Sequence, residues 1–454
     1  MKLRTIAMGM GGILLAASCT NDVVEEVNMG QEISFTTRMT RANAVDNVSA
    51  LKQFRVFAKA ENYTETMFIN GEVAKQGVIS SDEDNRYIFN MEHTYHWPTG
   101  SNSIEFWAYA PTDPNKASET EIPGGNGATA KITASGAPVI ENFTPTSFTS
   151  VKNNNGSIAH HNSGASHEDL LLAYQEAHRS GGTSISLNFE HALSQIEVRA
   201  KKGGTQDETG NTYNVMVKGA WIVNARGTGN VTFDENEGNK LSWSTDGSTK
   251  VVYGYELTEP ISLDHTNSRL LAHNSNSELM LIPQELDEWN LETDKEQNTA
   301  NGAYILILCR VEAVHPGAQH PGDGDYVTTL GTDKHVHQMF PLKDNETTFN
   351  ENLYGYVCVP ISTEWLPGKK YIYTLEFCGQ ESGAGIYPPE DDMTDLGLPT
   401  GGDGKEYITV IPTDPADQKK PGDPVLTNPI KFSVSVKDWD EAWKDGNEGN
   451  IPMK

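Results

Sequence analysis

The chain has 454 residues, too many for one ordinary core, so two or three domains are expected. Sixty-two acidic residues against 34 basic ones give a formal net charge of −28, which repels nucleic acid and anionic membranes and excludes general binding to phosphate backbones. A hydrophobic content of 37% with 16 Tyr, 14 Phe and 8 Trp supplies cores, and 41 Gly and 22 Pro with few long helical periodicities point to an all-β chain.

Residues 1–18 read as a bacterial export signal. Lys2 and Arg4 supply the positive start, and the apolar stretch 6–17 is too short to span a bilayer. It ends Leu15-Ala16-Ala17-Ser18-Cys19, which is similar to a lipobox with Ala16 where Leu is usual. A lipid such as palmitate on Cys19 would anchor the chain to the outer membrane while its body stays soluble. A plain secretory signal with an incidental cysteine is the alternative. Residues 19–32 would then be a tether, acidic at Asp22, Glu25 and Glu26.

Next comes the stretch 33–41, in which Ile33, Phe35 and Thr37 fall on one face of an extended strand and Ser34 and Thr36 on the other. Arg38 and Arg41 follow among small polar residues, where a chain is easily nicked. A cut there would release the strand and leave unpaired backbone on its neighbours, a template for a strand from another chain. The plainer reading is an ordinary first strand with two solvated arginines.

Further strands are expected at 51–58, 87–89, 104–110 (ended by Pro111) and 170–174, with short ones near 130–133 and 139–143 inside the long polar stretch 111–166. The composition breaks at 179–182, which places a boundary between an N-terminal β-sandwich domain, 33–180 with its first strand at 33–38, and a C-terminal one, 181–454. The second series runs 184–200, 213–223, 231–233, 278–282, 304–311, 354–359, 370–377 and 430–436, a spacing that suits a sandwich. Trp97-Pro98-Thr99-Gly100 in the first half is echoed by Trp365-Leu366-Pro367-Gly368 in the second, as in a duplicated domain.

Catalytic signatures are missing. There is no GxSxG, HExxH, Walker or dinucleotide glycine pattern, and Gly124-Gly125-Asn126-Gly127 sits in a loop, so neither enzyme activity nor a cofactor is expected. His335 and His337 would share one strand face and could hold a metal with His315 or His320. Solvated loop histidines are the expectation, and no metal site is assigned. The acidic loops 391–395 and 322–325 lack a defensible ligand count for calcium. Cys309, Cys358 and Cys378 lie in apolar runs without any CxxC; two can pair in an oxidising compartment, but buried free thiols are expected. Trp97, Trp107, Trp221 and Trp243 read as core before they read as a sugar-stacking platform.

The segment Leu187-Asn188-Phe189-Glu190-His191-Ala192-Leu193-Ser194-Gln195-Ile196-Glu197-Val198 resembles the F-x-H-A-L-S-x-I-x-V strand of the fimbrillin and Mfa-like family of Bacteroidales. Asp169-Leu170-Leu171, Leu279-Met280-Leu281-Ile282-Pro283-Gln284, Leu366-Pro367-Gly368-Lys369-Lys370-Tyr371-Ile372-Tyr373-Thr374-Leu375 and Phe432-Ser433-Val434-Ser435-Val436-Lys437-Asp438-Trp439, with the lipobox and Thr40-Arg41-Ala42, extend the likeness over nearly the whole mature chain. His191 within it reads as a hydrogen-bonded core histidine.

The resemblance implies two tandem transthyretin-like β-sandwiches, exported as a surface lipoprotein and assembled into a fimbrium for cell adhesion. It implies that an arginine-specific, trypsin-like protease cuts at Arg41, with Arg38 second. The strand carrying Ile33, Phe35 and Thr37 is then lost, and a C-terminal strand of a neighbouring fimbrial subunit fills the groove. Ile430, Phe432, Val434 and Val436 alternate with polar residues as a donor strand requires, but the last strand of the second sandwich requires the same. If they are used at home, nothing is left to donate, which suits a tip or accessory position and adhesion to a host or bacterial receptor. The rival reading is a monomeric surface lipoprotein that binds a glycan.

Overall fold

The computed structural model describes residues 32–39, 51–65, 67–79, 87–112, 128–132, 138–146, 149–153, 156–161, 167, 169–181, 184–204, 212–233, 241–245, 250–271, 279–290, 302–319, 324, 326–343, 346–389, 396–408 and 419–438. Their regular structure is strand throughout, apart from one 3-10 turn at Arg179–Gly181. The all-β expectation holds.

Seven strands close into a barrel in the order β1 (Ser34–Met39), β11 (Ser184–His191), β10 (Leu171–His178), β5 (Ser103–Ala110), β2 (Gln53–Ala60), β3 (Ile69–Ile79) and β4 (Tyr87–Met91). The inward side chains keep strict period two: Phe54, Val56 and Ala58 on β2, Ile104, Phe106 and Ala108 on β5, Ile185, Leu187 and Phe189 on β11. Outward neighbours such as Phe57, Trp107, Tyr109 and Leu172 are buried as well. They pack with Ile140, Phe143 and Val231 of a four-stranded sheet, ordered β15 (Leu241–Ser244), β14 (Gly229–Phe233), β7 (Pro138–Phe143) and β6 (Thr129–Ile132). Burial on both faces is why 51–58 alternates only partly in sequence.

The second body is a sandwich. One sheet is ordered β17 (Ser268–Leu271), β12 (Ser194–Lys202), β25 (Lys369–Phe377) and β28 (Lys431–Asp438), with β18 (Leu279–Leu281) also on β12. The other runs β26 (Gly401–Gly402), β27 (Lys405–Ile408), β23 (Leu353–Pro360), β20 (Tyr304–Pro316), β13 (Thr212–Arg226), β16 (Lys250–Ser262), β9 (Gly156–His161) and β8 (Thr149–Asn153). In this sheet β22 (Lys334–Phe340) pairs both β20 and β21 (Val327–Thr329). A two-stranded ribbon joins β19 (Gln284–Glu285) to β24 (Glu364–Trp365).

Ile196, Val198, Tyr373 and Leu375 of the first sheet meet Val217, Ile305, Ile307 and Val357 of the second in one core. Cys309, Cys358 and Cys378 are free and buried; burial pushes the Cys309 thiol well up and that of Cys378 to about 12. Trp97, Trp107 and Trp221 are core residues, and Trp243 packs half-buried against the core shared by the barrel and the four-stranded sheet.

Strand pairing does not divide at residue 180. β11 lies in the barrel, antiparallel to β10 through Leu171↔His191 and Leu172↔Glu190. The composition break at 179–182 therefore lies between two strands of one barrel. From the first half, β7 also pairs with β14, and β9 pairs with β16.

Candidate functional site: the barrel seam at the first strand

β1 is the strand that closes the barrel. It runs parallel to β11 along its whole length, from Ser34↔Ser184 to Met39↔Phe189. Against β4 it is antiparallel, with Phe35↔Phe89 and Thr36↔Ile88 paired among the described residues. The start of the segment is tied on separately, by Ile33 N–H donating to the Tyr95 carbonyl at 2.8 Å and by a bridge between Glu32 and His96.

Alternation drives Ile33, Phe35 and Thr37 into the barrel, as expected, and all three are buried. Phe35 sits at the centre, its ring edge-on to Phe106 at 5.5 Å and to Phe54 at 5.9 Å. Thr36, which the pattern turns outward, is buried too. Arg38 is not beyond the strand: its backbone stands in the β1–β11 ladder opposite Asn188. Residues 1–31, with Cys19, and residues 40–50, with Arg41, lie outside the described residues.

The C-terminal strand is engaged. β28 pairs antiparallel with β25 from Lys369↔Asp438 to Glu376↔Lys431. Ile430 and Val434 enter the sandwich core and Val436 packs against it. Phe432 departs from the expected alternation: it is 41% exposed, because β28 ends the sheet and no further described strand covers it. Lys369–Asp438 and Lys431–Glu381 ion pairs and a Lys431 N–H bond to Ser382 Oγ at 2.9 Å hold its two ends.

Between barrel and sandwich runs the continuous segment 187–198. Phe189 belongs to the barrel core, Ala192 and Leu193 to the layer between, and Ile196 and Val198 to the sandwich core. His191 is buried, its Nδ1 paired with the carboxylate of Asp169, which also accepts the Leu170 N–H at 2.9 Å. The crossing is pinned by Ala192 N–H to Leu170 O (2.8 Å), Gly368 N–H to Leu193 O (2.9 Å) and Ser194 Oγ–H to Leu366 O (2.9 Å). The Asp169-Leu170-Leu171 and Leu366-Pro367-Gly368 motifs thus meet the hallmark segment here.

Sequence reasoning missed the charge cluster just beyond. Glu197 is buried on β12 with Arg199 Nε at 2.5 Å, Arg269 Nε at 2.7 Å and Lys370 Nζ at 3.1 Å. Burial pushes its pKa up, but the Arg199 hydrogen bond and the charges of Lys370, Arg199 and Arg269 outweigh that and hold it below the ordinary value. Alternation of Glu197 and Arg199 with Ile196 and Val198 was the available signal.

His335 and His337 do lie on one strand, β22, and His335 is buried rather than solvated. His320, Gly124–Gly127 and the acidic loop 391–395 fall outside the described residues, as does most of 322–325.

Residues 37–385 match the family model described as fimbrillin-like. Among solved structures, a fimbrial protein from Bacteroides vulgatus aligns at 14% identity and a TM-score of 0.44, covering 90% of this chain and 100% of that one. A candidate cell adhesion protein from Parabacteroides distasonis aligns at 10% identity and a TM-score of 0.41, covering 90% and 99%. One from Bacteroides uniformis does so at 11% and 0.32, covering 90% and 97%. A search of curated proteins gives no match. With more than half of its length inside the family model, the chain belongs to the fimbrillin-like family.

Proposed function

We propose that this chain is a surface-exposed fimbrial subunit, structural or adhesive, which assembles by strand exchange at the β1 seam. The observation that carries the reading is the place of β1, the first described strand, which fills the gap between β11 and β4 with the Phe35 ring against Phe106. Its removal would expose backbone along β11 and β4 and open a slot shaped for side chains at i, i+2 and i+4. An incoming strand regains the pairing and buries apolar side chains, each large one contributing about 1.5–3 kcal/mol. Membership of the fimbrillin-like family supports the fimbrial setting.

In this reading a lipid on Cys19 holds the precursor at the outer membrane and an arginine-specific protease releases β1. Arg41 is the preferred cut. The bond after Arg38 is second because its backbone is paired with Asn188 and becomes available only once the strand peels. The engagement of β28 at home favours a tip or accessory position, where the subunit accepts a strand without giving one and contacts a receptor.

The test is limited digestion of the mature chain with an arginine-specific protease, followed by capture of a fluorescent peptide with the sequence 33–39. We expect one early cut at Arg41, loss of the first strand and peptide capture by the cut chain alone, with Arg38→Ala/Arg41→Ala inert. A cut chain that keeps its strand, or takes up no peptide, overturns the reading. Ladders of cut chain without added subunits would instead assign it a stalk position.

A further inference from the structure

The far end of β20 and its partner β22 carry a second constellation, unrelated to the seam. In the antiparallel register His315 stands opposite His335 and Ala313 opposite His337, so all four side chains share one face. The small Ala313 leaves space across from His337, and the three imidazoles converge on it. Their ring centroids lie 4.6 Å apart for His315 and His337, 5.0 Å for His335 and His337, and 5.2 Å for His315 and His335. Their ligating nitrogens all lie within 4.8 Å of one another.

His335 is oriented for ligation. Its Nδ1 is 3.0 Å from the Gly317 carbonyl; a carbonyl only accepts, so Nδ1 carries the hydrogen, and in the neutral ring a metal would bind the Nε2 lone pair. Metal-bound histidines almost always donate their other N–H in this way. Gly317 is itself held by its N–H to the Asp333 carbonyl at 2.5 Å, so the turn that fixes the ring is fixed in its own right. His335 is buried, while His315 and His337 are half-buried at the sheet end.

We infer that His315, His335 and His337 form a binding site for a divalent transition cation of the zinc class. Imidazole is a ligand suited to zinc, copper and nickel, and three of them with one position left to solvent make a tetrahedral site. Bonds of about 2.0–2.1 Å put the nitrogens roughly 3.3 Å apart, a closure that small rotations of the two half-buried rings supply while His335 stays anchored. Bound there, the ion clips β22 to the end of β20, where β23 no longer pairs with it.

The experiment uses the mature chain without a polyhistidine tag, stripped with a chelator and titrated with Zn2+ by calorimetry and with Co2+ by visible absorption. We expect one ion per chain and a tetrahedral Co2+ spectrum that Zn2+ displaces. His315→Gln/His337→Gln is expected to weaken binding at least about tenfold, the low end of what loss of even an outer partner does, while the far-ultraviolet circular dichroism is unchanged. Absence of stoichiometric binding, or equal affinity in the double variant, overturns the proposal. Because neither readout involves protease or partner, failure here leaves the strand-exchange reading untouched.

Discussion

Glu197 sets the terms at the scale of single residues. Its folded-state pKa is depressed, so its contribution is fully present above the unfolded carboxylate value of about 4.3 and is lost as pH falls through the lower, folded value. Replacing it leaves Arg199 and Lys370 nearly buried without their shared partner. Glu197→Ala is therefore expected to destabilise by about 3–5 kcal/mol at neutral pH, read as a lower urea midpoint. The difference from the native chain should shrink toward pH 3. Equal destabilisation at both pH values would show that packing, not charge, is responsible. Only the alternation of Glu197 and Arg199 was legible beforehand, because Arg269 and Lys370 reach Glu197 from distant strands that only the folded sheet brings together.

Among the elements, β1 was readable because its period-two pattern coincides with its inner face. β3 was not: Gly71 adopts φ 73° beside a register shift at Val56/Phe57, and a side chain there would press on the Phe57 ring. A bulged strand with glycine, lysine and glutamine gives no alternation to read. β20 was legible as apolar, yet its two buried faces concealed which sheet it served. For β1 itself, Phe35→Ala is expected to destabilise the intact chain by about 3–5 kcal/mol, measured by urea unfolding. The same substitution should be silent once the strand has been cut away. A variant that weakens the cut chain as much as the intact one would place Phe35 outside the exchanged element.

The molecule as a whole is stitched by the segment 187–198, which passes through three cores in succession. Its motif was the most legible feature of the sequence. Its role was not, since a likeness identifies residues without saying which sheets they join. The boundary expected at 180 falls between two strands that pair with each other: composition marks a turn but not the partners of the strands it connects. Barrel and sandwich are expected to unfold together, so Trp97 and Trp365, each left as the sole reporter in its half, should give coincident transitions. His191→Ala, which removes the buried partner of Asp169, should separate the two midpoints. Coincidence in that variant as well would locate the coupling elsewhere.

The covalent link from β1 to the rest of its own chain has one last consequence. While residues 40–50 are intact, the native occupant competes from within the molecule, at an effective concentration on the order of millimolar. A visiting segment of equal affinity must exceed that local concentration before it gains a foothold. In the strand-exchange reading, one hydrolysed bond would end that advantage without altering a single side chain inside the barrel. Timing would then rest with the protease, and selectivity with the cavity that Phe35 has been keeping filled.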